Sequence, residues 1–352
     1  MSEWLGMSYT IRSTEKLSKS GADAETKALL YLMSFYQDCD KIYYFIVDLF
    51  NDLTGMDKSA DHLWDVQSKA KKTSGPGEIG QSLITLFKNY MSEFDFTAYI
   101  LFIGGVPEGL RKNNSLNVFG VENICDKSVK RIKAGLIKEG KKKTYIDDSL
   151  LVDGKITEFL SKITIVVDDG KQPSEYVKAI IQKYPKIIPN DEVLTAIFNE
   201  IRSKQAGKKY INVVEGEVID TADRALEFCR HLTSNEIHLM VLNRLINSNP
   251  LIKAMPIAFN EIYNQWPPEE RQQKLDECKS TLCCALFNKS AKDAFWYIFE
   301  NIYLIVSKNK NISVQEVYIK LRKIRNCLTR HPDFDVISIK YLIALIIDGV
   351  QR

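Results

Sequence analysis

Apolar positions recur along this chain with two periods, one helical and one of strands. Leu29, Leu32, Met33 and Tyr36 fall on one helical face. Gly21-Ala22-Asp23 precedes them and offers Asp23 as an N-cap. A helix is therefore predicted from about 23 to 37. Residues 42–50 are dense in aromatic and β-branched side chains, which predicts a strand. Residues 51–55 read as a turn or strand end, and 63–69 as a second strand. Thr73-Ser74-Gly75-Pro76-Gly77 breaks the chain. Ile79, Leu83, Leu86, Phe87, Tyr90 and Phe94 then form the stripe of a helix over 79–94. A buried strand over 97–103 follows, stopped by Gly104, Gly105 and Pro107. Helix, strand, strand, helix, strand is the order of an α/β layered domain.

The rest of the chain is less regular. Residues 1–20 are polar and read as a loosely held arm. A basic segment covers 127–143 and is helical at its start. A strand is expected at 163–167, helices at 174–183 and 191–204, and a strand at 210–214. Beyond Asp220 the pattern is helical throughout, with amphipathic stretches near 221–232, 235–248, 257–265, 269–286, 290–307, 314–328 and 336–348. Pro250, Pro256, Pro267, Pro268 and Pro332 punctuate them. An α/β domain over 1–215 with its core at 20–105, then an all-α domain over 216–352, is the expected organisation.

Bulk properties narrow the function classes. The 352 residues carry a net charge of only +3, so a nucleic-acid partner must be met by local patches. The seven cysteines include no CxxC pair, and only four histidines accompany them, which argues against a zinc site. Their odd number and scattered spacing fit reduced thiols in a cytoplasmic protein. The opening residues lack the basic and apolar regions of a signal peptide, and no apolar run is long enough to span a bilayer.

Candidate chemistry sits on the second strand. Side chains alternate across a strand, so Leu63, Asp65, Gln67 and Lys69 share one face. An acid, an amide and an amine in a row on a half-buried strand need partners. A hydrolytic magnesium site would supply them, because Mg2+ takes oxygen ligands and keeps several waters. An ammonium nearby can stabilise charge developing on a phosphate. Asp52 precedes Gln67 by fifteen residues, the reach of a hairpin. Glu25 lies on the apolar face of the first helix, where a carboxylate is costly without a partner. Packing of that helix on the sheet would bring Glu25 towards Asp52 and Lys69. Asp48 has the same strand parity as Asp52 and is an alternative carboxylate. Asp65 is another, with a structural role the more favoured reading.

With Asp52…Gln67-Ser68-Lys69, Glu25 on a preceding helix, and a further helix and strand behind, the chain resembles the PD-(D/E)xK nuclease superfamily. The similarity is to the branch in which glutamine replaces the central acid, as in Mrr-like members. The stretches SGADAETKALLYLMSFYQ, FNDLTG and LWDVQSKA further resemble effector endonucleases of bacterial anti-phage systems, those of CBASS and Lamassu operons among them. The resemblance covers residues 20–105 and thins out by about 215. It implies a restriction-endonuclease-like domain and Mg2+-dependent DNA cleavage. Asp52 and Gln67 would be metal ligands, Lys69 the catalytic lysine, and Glu25 an accessory ligand or a support for the lysine. The helical tail is unlike the sensing domain of CBASS relatives, so a Lamassu-type subunit is implied, partnered by an SMC-like ATPase and active as a homo-oligomer. Lys130, Arg131 and Lys133, within a basic run that ends in Lys141-Lys142-Lys143, would contact phosphates, and Lys71 and Lys72, just beyond the site, suit the same role. The alternatives are a non-catalytic interaction subunit with a degenerate fold, or an effector that cleaves RNA.

Overall fold

A computed structural model describes residues 9–11, 19–181, 188–209, 211, 214–247, 255–309, 311–329 and 331–350. The chain divides into two compact units. Met1–Tyr176 with Phe198–Ser234 forms the first; Val177–Ile197 with Asn235–Arg352 forms the second. Residues 177–197 belong to the second unit although they precede the boundary expected at 215, and 198–234 run past that boundary within the first.

The first unit runs β1 (Tyr9–Thr10), α1 (Lys19–Ser34), β2 (Tyr44–Val47), β3 (Leu53–Met56), β4 (Leu63–Lys69), α2 (Pro76–Ser82), α3 (Ile84–Tyr90), β5 (Phe96–Ile103), β6 (Val118–Phe119), α4 (Asp126–Gly140), α5 (Asp153–Lys162) and β7 (Ile163–Val167). Helices α6 (Pro173–Ile181) and α7 (Asp191–Lys208) come next in the chain, each divided between the two units, and β8 (Val218–Ile219) and β9 (His231–Thr233) return to the first. Among the described residues the main sheet has the order β6-β7-β5-β4-β3-β2-β9. Strands β2, β3 and β4 form an antiparallel meander. Strand β5 then pairs parallel with β4, which requires the crossover that α2 and α3 provide. This is the α/β arrangement that the order of periods predicts.

Strand β4 is buried on both sides, as expected of a central strand. Helix α1 packs over β3 and β4 on one face. Packing is tight at Gly55, where a Cβ would sit 3.1 Å from Ile42 Cγ2 and 3.3 Å from Leu32 Cδ1, so those side chains would have to give by a few tenths of an ångström. Helices α3 and α5 cover the other face, with Phe87, Leu101, Phe159 and Ile165 in the core.

Several expectations change. Residues 53–56 are a full strand: LTGM pairs on both sides, with Leu53 opposite both Val47 and Val66. Strand β2 is shorter than the aromatic run suggested, since Asp48 turns into the left-handed region at φ 53° and ends it. The predicted helix over 79–94 is two helices, entered at Pro76, where proline suits a first helical position. The N-terminal arm is anchored within its described part. Tyr9 is buried, pairs with Ile219, and its hydroxyl donates to Asn89 Oδ1 at 2.8 Å. The helix expected over 221–232 is a short 3-10 turn and then β9, which adds to β2 through Phe45 and Leu232. Ladder pairing and burial of Leu232 override its local helical spacing. The strand expected over 210–214 lies mostly outside the described residues, and Val214 is not in a strand.

The second unit includes α8 (Ser234–Leu245), α9 (Asn260–Asn264), α10 (Arg271–Phe287), α11 (Lys292–Lys308), α12 (Val314–Arg322) and α13 (Val336–Val350). Helix α13 is its centre, buried from Ser338 to Asp348 except at Lys340 and packed by α10, α11 and α12. Asp348 accepts from the backbone N–H groups of Ile257 (2.7 Å) and Ala258 (3.1 Å). That satisfies orphan donors at the start of a helical turn. Among the described residues no helix is long and apolar enough to cross a membrane.

Candidate active site

The site is built at the ends of β3 and β4. Residues 48–52 reverse the chain tightly, and the Asp48 N–H meets the Asp52 carbonyl at 3.3 Å. Because Leu53 opposes Val66, Asp52 arrives across from Gln67. One oxygen, Asp52 Oδ2, then accepts three hydrogen bonds: from Gln67 Nε2 (2.5 Å), from the Ser68 N–H (2.8 Å) and from Ser68 Oγ (3.1 Å). Donors to the ionised form fix this carboxylate in one orientation. Gln67 is buried, and Lys69 is half-buried where β4 ends.

Asp52, Gln67 and Lys69 line one cleft of about 220 Å³. Its other wall comes from Gln81 and Ser82 of α2, Thr85 of α3, and Glu139, Lys143 and Tyr145 at and beyond the end of α4. Glu139 bonds Lys142 at 2.9 Å and pairs with Lys143 at 3.4 Å, and these lysines hold its carboxyl below the usual glutamate range. Lys143 belonged to a basic run with no feature to single it out. Glu139 and Tyr145 had no sequence signal at all.

Glu25 is placed differently. It is buried on α1, but its partner is Lys209, and it is not among the residues lining the cleft. Burial pushes its carboxyl up to about 7 against the pull of Lys209, and the charges of Asp52 and Asp48 add to the rise. Asp48 is engaged by Arg230, whose Nη1 donates to its carbonyl at 3.2 Å and lies 3.8 Å from its carboxylate.

Asp65 shares the Gln67 face, as strand parity requires, but lies deeper and is fully buried. It accepts from Asn89 Nδ2 at 2.6 Å, and Asn89 is held in turn by Tyr9 and the Phe50 carbonyl. Burial pushes Asp65 up to about 7, with Asn89 pulling the other way. A folded-state value above the unfolded one gives stability that is complete below about pH 4 and lost as pH rises through about 7. Asp65→Asn should therefore remove on the order of 2 kcal/mol of the stability difference between pH 5 and pH 8. Urea midpoints of both proteins at the two pH values check this. Equal slopes with pH would mean that Asp65 takes up no proton on folding.

The basic residues do not gather at the cleft. Lys71 pairs with Glu78, and Lys71 and Lys72 are exposed just beyond β4. Lys130 and Arg131 are exposed on α4, while Lys133 bonds Asp153 and Thr157, both at 2.7 Å. Lys130 and Lys133 line a separate shallow groove with Asp126 and Asp153.

The donor set suits a hard cation that keeps much of its water. Asp52 offers a carboxylate and Gln67 an amide oxygen, both oxygen donors. Among the described residues no cluster of three or more His, Cys, Asp or Glu is arranged to enclose a metal ion. Two oxygen donors would leave most positions around any bound cation to water. No family model, curated protein or solved structure matches this chain.

Proposed function

We propose that this protein is a Mg2+-dependent endonuclease that cleaves DNA phosphodiester bonds. The supporting observation is the convergence of Asp52, Gln67 and Lys69 on one cleft, with Asp52 locked by three donors. Asp52 and Gln67 would hold the ion through their oxygens. Bound there, Mg2+ supplies a Lewis acid and a water of lowered pKa. Ser68 and the Gln67 amide keep the Asp52 carboxylate from rotating away, so little reorganisation is needed when substrate binds. Lys69 presents an ammonium to the same space and neutralises charge on the phosphate. Lys143, across the cleft and paired with Glu139, would meet a neighbouring phosphate by exchanging that partner for it. Exposed Lys71, Lys72, Lys130 and Arg131 extend the contact along the backbone, and such contacts make binding sensitive to salt.

As its biological setting we propose anti-phage defence, with the nuclease held in check by an SMC-like ATPase complex and cutting both strands when copies of the chain assemble. The sequence resemblance supports this setting. The test of the activity is incubation of purified protein with supercoiled plasmid and MgCl2, alone and with EDTA. Nicked or linear product that EDTA suppresses is expected. Binding of plasmid without cleavage, in protein also freed of its partners, would point to an interaction subunit instead.

A further inference from the structure

The 48–52 turn that presents Asp52 is gripped from outside. Within it, the Asp48 N–H meets the Asp52 carbonyl at a long 3.3 Å, and Asn51 Oδ1 accepts from the Asp52 N–H at 2.9 Å. The Phe50 carbonyl, two residues before Asp52, meets two side chains from distant parts of the chain. Asn89 Nδ2 donates to it at 3.1 Å, and the Tyr9 hydroxyl stands 3.0 Å away. The orientation of Asn89 follows from its neighbours. Its two amide hydrogens go to acceptors, the Phe50 carbonyl and Asp65 Oδ2, which leaves its Oδ1 to accept from Tyr9 at 2.8 Å. The Tyr9 hydroxyl has one proton, shared between Asn89 Oδ1 and the Phe50 carbonyl, and Lys88 Nζ donates to its oxygen. Burial, then the charge of Asp65, keep the phenol well above its usual pKa, so that proton stays in place. Tyr9 and Asn89 are both buried, and the Tyr9 ring packs edge-on against Phe50 at 5.1 Å. The arm is fastened again at Ile11, whose N–H donates to the Glu217 carbonyl at 2.9 Å.

We propose that Tyr9 is a positioning residue for the candidate active site: through the Phe50 carbonyl, directly and by way of Asn89, it holds the 48–52 turn in the shape that sets Asp52 against Gln67 and Ser68. The consequence for cation binding rests on the site proposed above; the mechanical link from Tyr9 to the turn does not. Tyr9 is not among the residues lining the cleft. It acts by limiting the conformations open to the turn, so that little reorganisation is left when a ligand binds at Asp52.

Tyr9→Phe removes the hydroxyl and keeps the ring. Two readouts on the full chain test it at pH 8, above the value of about 7 to which burial raises Asp65. One is residue-resolved amide hydrogen exchange without metal. The Ser68 N–H, bonded to Asp52 Oδ2, and the Asp52 N–H report on the turn, and the amides of the β5–β7 pairing report on the sheet. The other is Mn2+ affinity, read from the EPR signal of free Mn2+. Exchange at Ser68 and Asp52 should quicken by roughly fivefold, the worth of one hydrogen bond, with the β5–β7 amides unchanged. Mn2+ affinity should fall by a similar factor. Thr10→Ala, at an exposed neighbour in the same β1–β8 pairing, should change neither. A merely structural tyrosine would instead speed exchange across the whole sheet alike. Uniformly faster exchange, no change at Ser68 and Asp52, or an equal effect of Thr10→Ala overturns the proposal. Where Asp52→Ala abolishes Mn2+ binding, local loosening that leaves the affinity of Tyr9→Phe unchanged overturns it too. Where wild type and Asp52→Ala bind Mn2+ alike, or neither binds it, the cation site falls, and exchange alone decides whether Tyr9 holds the turn.

Discussion

Plasmid cleavage by Lys69→Ala should fall by about two to three orders of magnitude, with folding intact. That is the usual cost of removing one group aimed at charge that develops in a transition state. Lys69 is a cleaner choice than Asp52. It ends β4, half-buried, and its backbone carbonyl still accepts from the Gly104 N–H at 3.1 Å whatever the side chain. Asp52→Ala would confound chemistry with structure. Removing that carboxylate strands Gln67 Nε2 and the Ser68 N–H and hydroxyl, three donors that converge on one oxygen. A stranded buried donor costs about 1–3 kcal/mol. Initial rates of supercoil loss in saturating Mg2+, beside matched thermal melts, give the comparison. Wild-type cleavage by Lys69→Ala would remove this lysine from the chemistry.

The second large effect is on the far wall of the cleft. Helices α2 and α4 meet backbone to backbone. A Cβ on Gly80 would lie 2.0 Å from the Ile132 carbonyl oxygen and 2.8 Å from the Leu136 nitrogen. A Cβ on Gly135 would lie 2.2 Å from the Gly77 oxygen. Main-chain atoms cannot move aside cheaply, so Gly80→Ala and Gly135→Ala should each destabilise the protein by about 1–3 kcal/mol or more. This occurs even though alanine is the better helix former by about 1 kcal/mol. Gly77→Ala is the control. Its Cβ would meet nothing within 4 Å, so neutrality or a small gain is expected. Gln81 and Ser82 sit on one of these helices and Glu139 on the other. Separating the helices should therefore also reduce cleavage more than the melting temperature alone accounts for. Thermal melts and plasmid assays on the three variants check both parts. Equal melting of Gly80→Ala and Gly77→Ala would contradict the close packing.

What local pattern can determine was legible before any coordinates. Period-two alternation in LWDVQSK defined β4 at its observed bounds and put Asp65, Gln67 and Lys69 on one face. ITIVV pointed to β7 by its shortness and β-branched content, since a continuous apolar run carries no period of its own. The fifteen-residue spacing of Asp52 and Gln67 was enough to predict that they meet across a ribbon, since hairpin geometry is local. Other features required the folded chain. LTGM has no alternation of its own, and it becomes a strand because β2 and β4 offer edges on both sides. Residues 231–233 join the sheet for the same reason. The roles of the carboxylates were decided by distance in space. Asp65 is drawn under Asn89 and Tyr9, residues 24 and 56 positions away, and so is sealed from the cleft that Gln67 lines. Glu25 looked across to Lys69 in the sequence, yet it is held by Lys209, 184 residues on. Periodicity reports which face of an element is buried; it carries no information about which distant charge will arrive there, because that depends on how separate elements pack.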